Sequence, residues 1–391
     1  MHYLYRALTI IISVILATFC AEIFLTFKNY FRADYNKLRM QKAQERRLPY
    51  DCRTVLGVVQ DLKKEGVQAY PFFYPKGACQ TLRTIGPLAG ISRQMTVLCN
   101  ECGRYTIYGA DEHGFNNPPG VWPRRDIDLG LIGDSFAQGA CVSPENNLAA
   151  LIRRRGKTVL SLGSAGIGPL AEYAITVEYV KVVRPKTVMW LYFEGNDLDD
   201  LEEELTIPIL NKYLKDGFSQ NLINRQDEID EKLIDSGKYY YNSAQQAFII
   251  RQLQSLFTLE KIRINYHKVA KRYHEKYYIK LTATLINRAN NMVSSWGGKL
   301  FFVYLPSYDR YMKKVNDDKF MRRSELIALI LQNGIQVIDF HETMINDPDP
   351  LSFFPFRVNG HYSEAGYKKL ANTIINHCYP TRPLHSGAAG H

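Results

Sequence analysis

The sequence predicts an α/β fold: a three-layer α/β/α sandwich on a parallel sheet of about five strands, preceded by one N-terminal transmembrane helix. Three observations carry this reading. Five short, nearly continuous apolar runs, Ile127–Ile132, Thr158–Leu162, Thr187–Phe193, Lys299–Leu305 and Ile335–Phe340, have the pattern of strands buried on both faces. Helix-compatible segments at 145–155, 169–183, 262–294 and 322–333 alternate with them, which implies right-handed crossovers and helices on both sides of the sheet. The third observation is the N-terminal run Ala7–Phe27, 21 residues whose only charge is Glu22.

That first element spans roughly 30 Å as a helix, the thickness of a bilayer core. Its exit lacks a good small-x-small pair, and Phe19 before Cys20 spoils a lipoprotein site, so an uncleaved anchor over 1–30 is expected. A basic stalk follows. Lys28, Arg32, Lys37, Arg39, Lys42, Arg46 and Arg47 stand against Asp34 and Glu45, and supply half of the chain's net charge of +10. The stalk reads either as an amphipathic helix along anionic headgroups or as a solvated helix. Because the basic excess is local, nucleic-acid binding is not expected; with 46% apolar and 23% charged residues, the chain is neither disordered nor polytopic. By charge alone the positive-inside rule favours a cytoplasmic body.

Residues 31–125 comprise the stalk and an irregular lead-in with short strands, rich in turn signals such as Tyr74-Pro75-Lys76-Gly77 and Asn117-Pro118-Pro119-Gly120. Four of the seven cysteines, Cys52, Cys79, Cys99 and Cys102, fall here, while Cys141 and Cys378 stand alone. Disulfides among the four, half of a zinc site at Cys99-x-x-Cys102, and plain buried thiols are all open. The sandwich domain is placed at 126–378, with a helical insertion at 198–261 that reads as a lid or as a solvated hairpin. The acidic run Asp199, Asp200, Glu202, Glu203, Glu204 and the basic stretch Lys261–Lys280 read as wet helix faces, and 379–391 as a disordered tail.

Chemistry is concentrated in the loops after the predicted strands. Gly133-Asp134-Ser135 places a serine hydroxyl at the start of a helix, where an oxyanion would be stabilised. Gly163-Ser164-Ala165-Gly166 lets a backbone N–H approach a ligand, and Gly195-Asn196-Asp197 offers a carboxamide. After the last strand comes Gly360-His361-Tyr362-Ser363, with Gly366 beyond. Ser, Gly, Asn and His in this order, each heading a loop of one sheet, resemble the four blocks of the SGNH/GDSL hydrolase superfamily over about Ile127–Asn376. Upstream, Asp111-Glu112-His113-Gly114-Phe115-Asn116-Asn117 is similar to a signature of its membrane-anchored bacterial members.

The resemblance implies a flavodoxin-like fold, a nucleophile at Ser135 and a general base at His361. An oxyanion hole would come from the Ser135 N–H, the Gly166 N–H and the Asn196 side chain, with Gly163 as rival for the second donor. It implies neither metal nor organic cofactor. One departure stands out: where the family has an aspartate two or three residues before the histidine, this chain has Asn359 and Val358. A Ser–His dyad held by a backbone carbonyl or the Asn359 amide is the expectation, with Asp339 and Glu364 as substitutes. The resemblance further implies export of the body across the inner membrane. The implied function is that of a serine esterase or O-acyltransferase on an ester, most simply O-acetyl, of an envelope polysaccharide; the alternative is a catalytically silent scaffold subunit. The 26 tyrosines suit stacking on the sugar rings of an acylated carbohydrate.

Overall fold

The computed structural model describes residues 2–30, 34–243, 259–312 and 322–379. The chain divides into two units, 1–35 with 234–277, and 36–233 with 278–391. In the first, the helix His2–Tyr30 contains the apolar span Tyr5–Leu25, 21 residues of mean hydropathy 2.5 and long enough to cross a membrane. A signal sequence would meet the same test.

The second unit holds all eight strands. Three short ones form a small sheet in the lead-in: β1 (Ala69–Pro71) pairs parallel with β2 (Met95–Val97), which pairs antiparallel with β3 (Ile107–Gly109). The five predicted apolar runs become β4 (Leu129–Gly133), β5 (Val159–Gly163), β6 (Thr187–Phe193), β7 (Lys299–Leu305) and β8 (Gln336–Asp339). They build one parallel sheet in the order β5-β4-β6-β7-β8, with helices on its faces. This is the three-layer sandwich expected. β4 sits centrally, between β5 and β6, which is why all its residues are buried. Gly133 is level with Gly163 and Leu191, so the loops after β4, β5 and β6 open on one edge of the sheet.

One core cluster fills the side of the sheet beneath this edge. Leu131, Leu191, Val303 and Ile338 meet Phe136, Leu148 and Ile152 and the C-terminal helix Glu364–Cys378 through Leu370 and Ile374. Each fully buried aliphatic side chain contributes about 1.5–3 kcal/mol.

The expected insertion is not one piece. Residues up to Leu233 belong to the second unit, whereas 234–277 group with the first. The early part is fastened by a buried carboxylate, Glu178, which accepts hydrogen bonds from Tyr213 Oη (2.6 Å) and from the Gln220 and Leu222 amides (2.6 and 2.7 Å). The acidic run is a wet face only in part: Asp199 and Glu203 are exposed, whereas Asp200 and Glu204 are buried. In the helix Asp197–Glu204, Asp200 pairs with Lys76 of the lead-in, and buried Glu204 accepts from the Gly168, Leu170 and Ala171 amides at the start of the earlier helix Pro169–Ile175. Burial pushes the Glu204 carboxyl up to about 8. The stalk also departs from expectation: in the helix Tyr35–Glu45, Arg39 and Ala43 are buried in the second unit. The side chains of Lys261–Lys280 before His274, and the tail from Pro380, lie outside the described residues.

Candidate active site

Ser135 follows β4 directly. Asp134 caps the short helix Ser135–Gln138 by accepting from the Phe136 amide at 2.9 Å, which fixes the turn and holds the serine at the helix start. The serine Oγ lies 2.8 Å from His361 Nε2 and 3.3 Å from Asp134 Oδ2. Ser135 and His361 are thus brought together across the sheet edge as the sequence implied.

Behind the imidazole stands a residue sequence reasoning missed. Glu101, from the lead-in loop after β2, places Oε1 3.2 Å from His361 Nδ1, and its Oε2 accepts the His361 backbone N–H at 2.7 Å. The histidine is therefore not held by a backbone carbonyl or by Asn359, and Ser135, His361 and Glu101 stand in line through their side chains. The substitutes considered are committed elsewhere: Asp339 caps the following helix and pairs with Arg323, and Glu364 accepts from Ser143 Oγ at 3.1 Å. With Nδ1–H directed to the carboxylate, Nε2 is left as the acceptor for the serine proton. Burial alone lowers the imidazole pKa, but Glu101 and then Asp134 outweigh it, and the net shift is upward. Burial raises the Glu101 carboxyl, while His361 and Arg39 more than reverse this and hold it below its usual range. The pair is thus built to carry an imidazolium opposite a carboxylate.

A disulfide secures the acid's loop. Cys99, two residues before Glu101, is bonded to Cys141, whose sulfur lies 3.5 Å from His361 Nδ1. The pairing thus recruits a cysteine that stood alone in the sequence, and Cys102, the other half of the zinc motif, is a free thiol pushed up to about 12 by burial. Among the described residues, one group is tight enough to ligate a metal: Glu101, Cys141 and His361. The disulfide removes Cys141 from that donor set.

The oxyanion donors are also ordered by geometry. In the glycine-rich loop the Ser164 amide is bound to Gly133 O and the Ala165 amide to Gln138 Oε1 (2.8 Å). Gly163 belongs to the β4–β5 ladder, and a methyl there would strike the Ala137 and Gln138 backbone. Its missing side chain makes room for the helix Ser135–Gln138. The Ser135 and Gly166 N–H groups have no partner among the described residues. Asn196 reaches the same turn, but its Nδ2 donates to Asp200 at 2.6 Å and also serves Asp134.

The upstream signature supports this site from below. Buried Asp111 accepts from the His113 and Phe115 amides, Asn117 Nδ2 (2.8 Å) and Trp122 Nε1 (2.7 Å). Asn117 clamps the Ser161 peptide from both sides, and Asn116 donates to Gln138 O at 2.9 Å. The motif thus braces the helix Ser135–Gln138 and the strand β5 beside it.

Ser135, Gly166 and Asn196 lie beyond the ends of the neighbouring strands β4, β5 and β6, His361 lies in the loop before the C-terminal helix Glu364–Cys378, and Glu101 comes from the lead-in outside the sheet. No protein-family model matches the chain, and no curated protein matches it. Solved structures similar to it include a lipolytic G-D-S-L family protein from Desulfitobacterium hafniense (15% identity, 63% of this chain and 96% of that one, TM-score 0.37). Others are a lipase/acylhydrolase from Enterococcus faecalis (13%, 64% and 94%, 0.37) and an acetyl xylan esterase (12%, 64% and 99%, 0.35).

Proposed function

We propose that this chain is a membrane-anchored serine esterase or O-acyltransferase that forms an acyl-enzyme on Ser135. The observation that carries the reading is the 2.8 Å contact between Ser135 Oγ and His361 Nε2, with Glu101 behind the ring. Oγ attacks the ester carbonyl as its proton passes to Nε2, and the carbonyl oxygen becomes an oxyanion facing the Ser135 and Gly166 amides. The imidazolium, opposite Glu101, returns the proton to the leaving alcohol as the C–O bond breaks. Water or a second hydroxyl then attacks the acyl-enzyme by the same route.

An O-acetyl group on an envelope polysaccharide is the substrate we favour, with the body on the periplasmic side of the inner membrane. The apolar span Tyr5–Leu25 supports a tether, and the disulfide supports an oxidising compartment. The silent-scaffold alternative drew its support from the missing acid before His361, and Glu101 fills that place.

A fluorophosphonate probe applied to the full chain is expected to label the wild type and to fail on Ser135→Ala. Equal labelling of the two would remove Ser135 as nucleophile. Release of acetate from an O-acetylated glycan, compared with a longer-chain ester, addresses the substrate.

A further inference from the structure

We propose that Arg39, on the stalk helix, is a positioning residue that fixes Glu101 against His361 and so extends the relay to four members. The proposal rests on the serine-hydrolase reading of the site. Arg39 is 4% exposed, although it comes from the most basic part of the sequence. Its guanidinium lies 3.2 Å from Glu101 Oε1. The same Nη2 donates to the Asn359 carbonyl, in the loop that delivers His361, while Nη1 donates to Asn36 Oδ1 at 2.9 Å. One guanidinium nitrogen thus ties the acid's loop to the base's loop, while the other, bound to Asn36, holds the guanidinium plane on its own helix.

Gly360 belongs to this device. A methyl there would strike both the Arg39 guanidinium and the Glu101 carboxylate, so the backbone before the histidine is pared down to admit them. The backbone carbonyl of Asn359, which any residue there would supply, serves the arginine, while the acid arrives from the lead-in. Arg39 makes no contact with Ser135 Oγ or His361 Nε2. It acts through Glu101.

The electrostatic effect has a definite sign. The charged groups acting on His361 are Glu101 and Asp134, which raise its pKa, and Arg39, which lowers it. Glu364, held by Ser143, acts with Glu101 on the nearby Cys102 thiol. Around them, the Tyr50, Cys102 and Tyr367 hydroxyls and thiol are all pushed up by burial and stay neutral. Removing Arg39 therefore moves the acidic limb of the rate profile to higher pH, whereas removing Glu101 moves it to lower pH.

The test measures probe labelling and ester hydrolysis against pH for the full chain in detergent. Arg39→Met is expected to lower the rate by about 10–100-fold, the usual cost of losing a partner that orients a reacting group, and to shift the acidic limb upward. Arg39→Lys should recover part of the rate. The double variant Arg39→Met/Glu101→Gln should be no slower than Glu101→Gln alone, because the arginine's effect passes through the acid. If the two losses multiply, or if Arg39→Met keeps the wild-type rate and profile, the assignment of Arg39 is overturned. This comparison among variants holds even where Arg39→Met lowers the folded yield, since rates are taken per labelled serine. A wild type that is not labelled at Ser135 overturns the serine-hydrolase reading instead, and the proposal with it.

Discussion

Glu101 and His361 are 260 positions apart in the chain, yet a carboxylate oxygen of one lies 3.2 Å from the ring nitrogen of the other. The contact joins the lead-in to the last loop of the sheet, and it completes a triad whose acid the local sequence around the histidine lacks.

Glu101→Gln keeps the shape of that contact but removes its charge. Turnover is expected to fall by as much as ~10⁴, as when a triad acid is neutralised and the wrong tautomer results. The base works as neutral imidazole, so activity rises as pH climbs through the His361 pKa, which Glu101 raises above its ordinary value against the effect of burial. Without the carboxylate, burial prevails and the acidic limb moves to lower pH. A kcat/KM profile of the two proteins checks both statements. Asn359→Asp, which would restore the family's acid, is expected to leave the rate flat or lower, since the position is already served.

Breaking the Cys99–Cys141 link should disable the site without unfolding the sheet. The bridge closes a separation of 42 residues and stabilises by about 2–4 kcal/mol in a chain-entropy account. Because Glu101 is two residues from Cys99, loss of the bridge frees the acid. The Cys99→Ser/Cys141→Ser variant is expected to retain its far-ultraviolet circular dichroism while its activity drops toward that of Glu101→Gln. Undiminished activity would mean that Arg39 and the His361 amide hold Glu101 unaided.

The third oxyanion donor can be weighed separately. Asn196→Ala removes a carboxamide that is shared with Asp200 and Asp134. A fall in kcat of ~10², at the lower end for a single donor, with KM little changed, is the expected outcome. Asn196→Asp should be slower still, because it sets a carboxylate where negative charge develops.

How much of this was legible depended on which physical signal each residue leaves. β4 to β8 could be read because strands buried on both faces need continuous apolar runs; Ser135, Gly166 and Asn196 stand out because each lies in a loop after such a run, and His361 because it precedes the C-terminal helix. Glu101 leaves no signal of that kind. It sits in an irregular loop with no hydrophobic period, and its only marker is its place between Cys99 and Cys102; the partner of Cys99, Cys141, lies just past the helix Ser135–Gln138. Arg39 falls in a stalk that reads either as a helix along anionic headgroups or as a solvated one, and it is buried through ion pairing instead. The acidic helix misled for the same reason: Asp200 and Glu204 are buried against Lys76 and backbone amides, partners that composition does not reveal.

Supplying the acid from outside the sandwich has a consequence for the order of events as the chain matures. The five-stranded sheet can assemble, and bring Ser135 to His361, before the lead-in docks. Oxidation of Cys99 with Cys141, which secures the loop of Glu101, takes seconds to hours unless catalysed. A newly made chain therefore passes through a stage in which its secondary structure is complete and its serine is still unreactive. Appearance of activity should lag behind the circular-dichroism signal during refolding, and a thiol oxidant should shorten that lag.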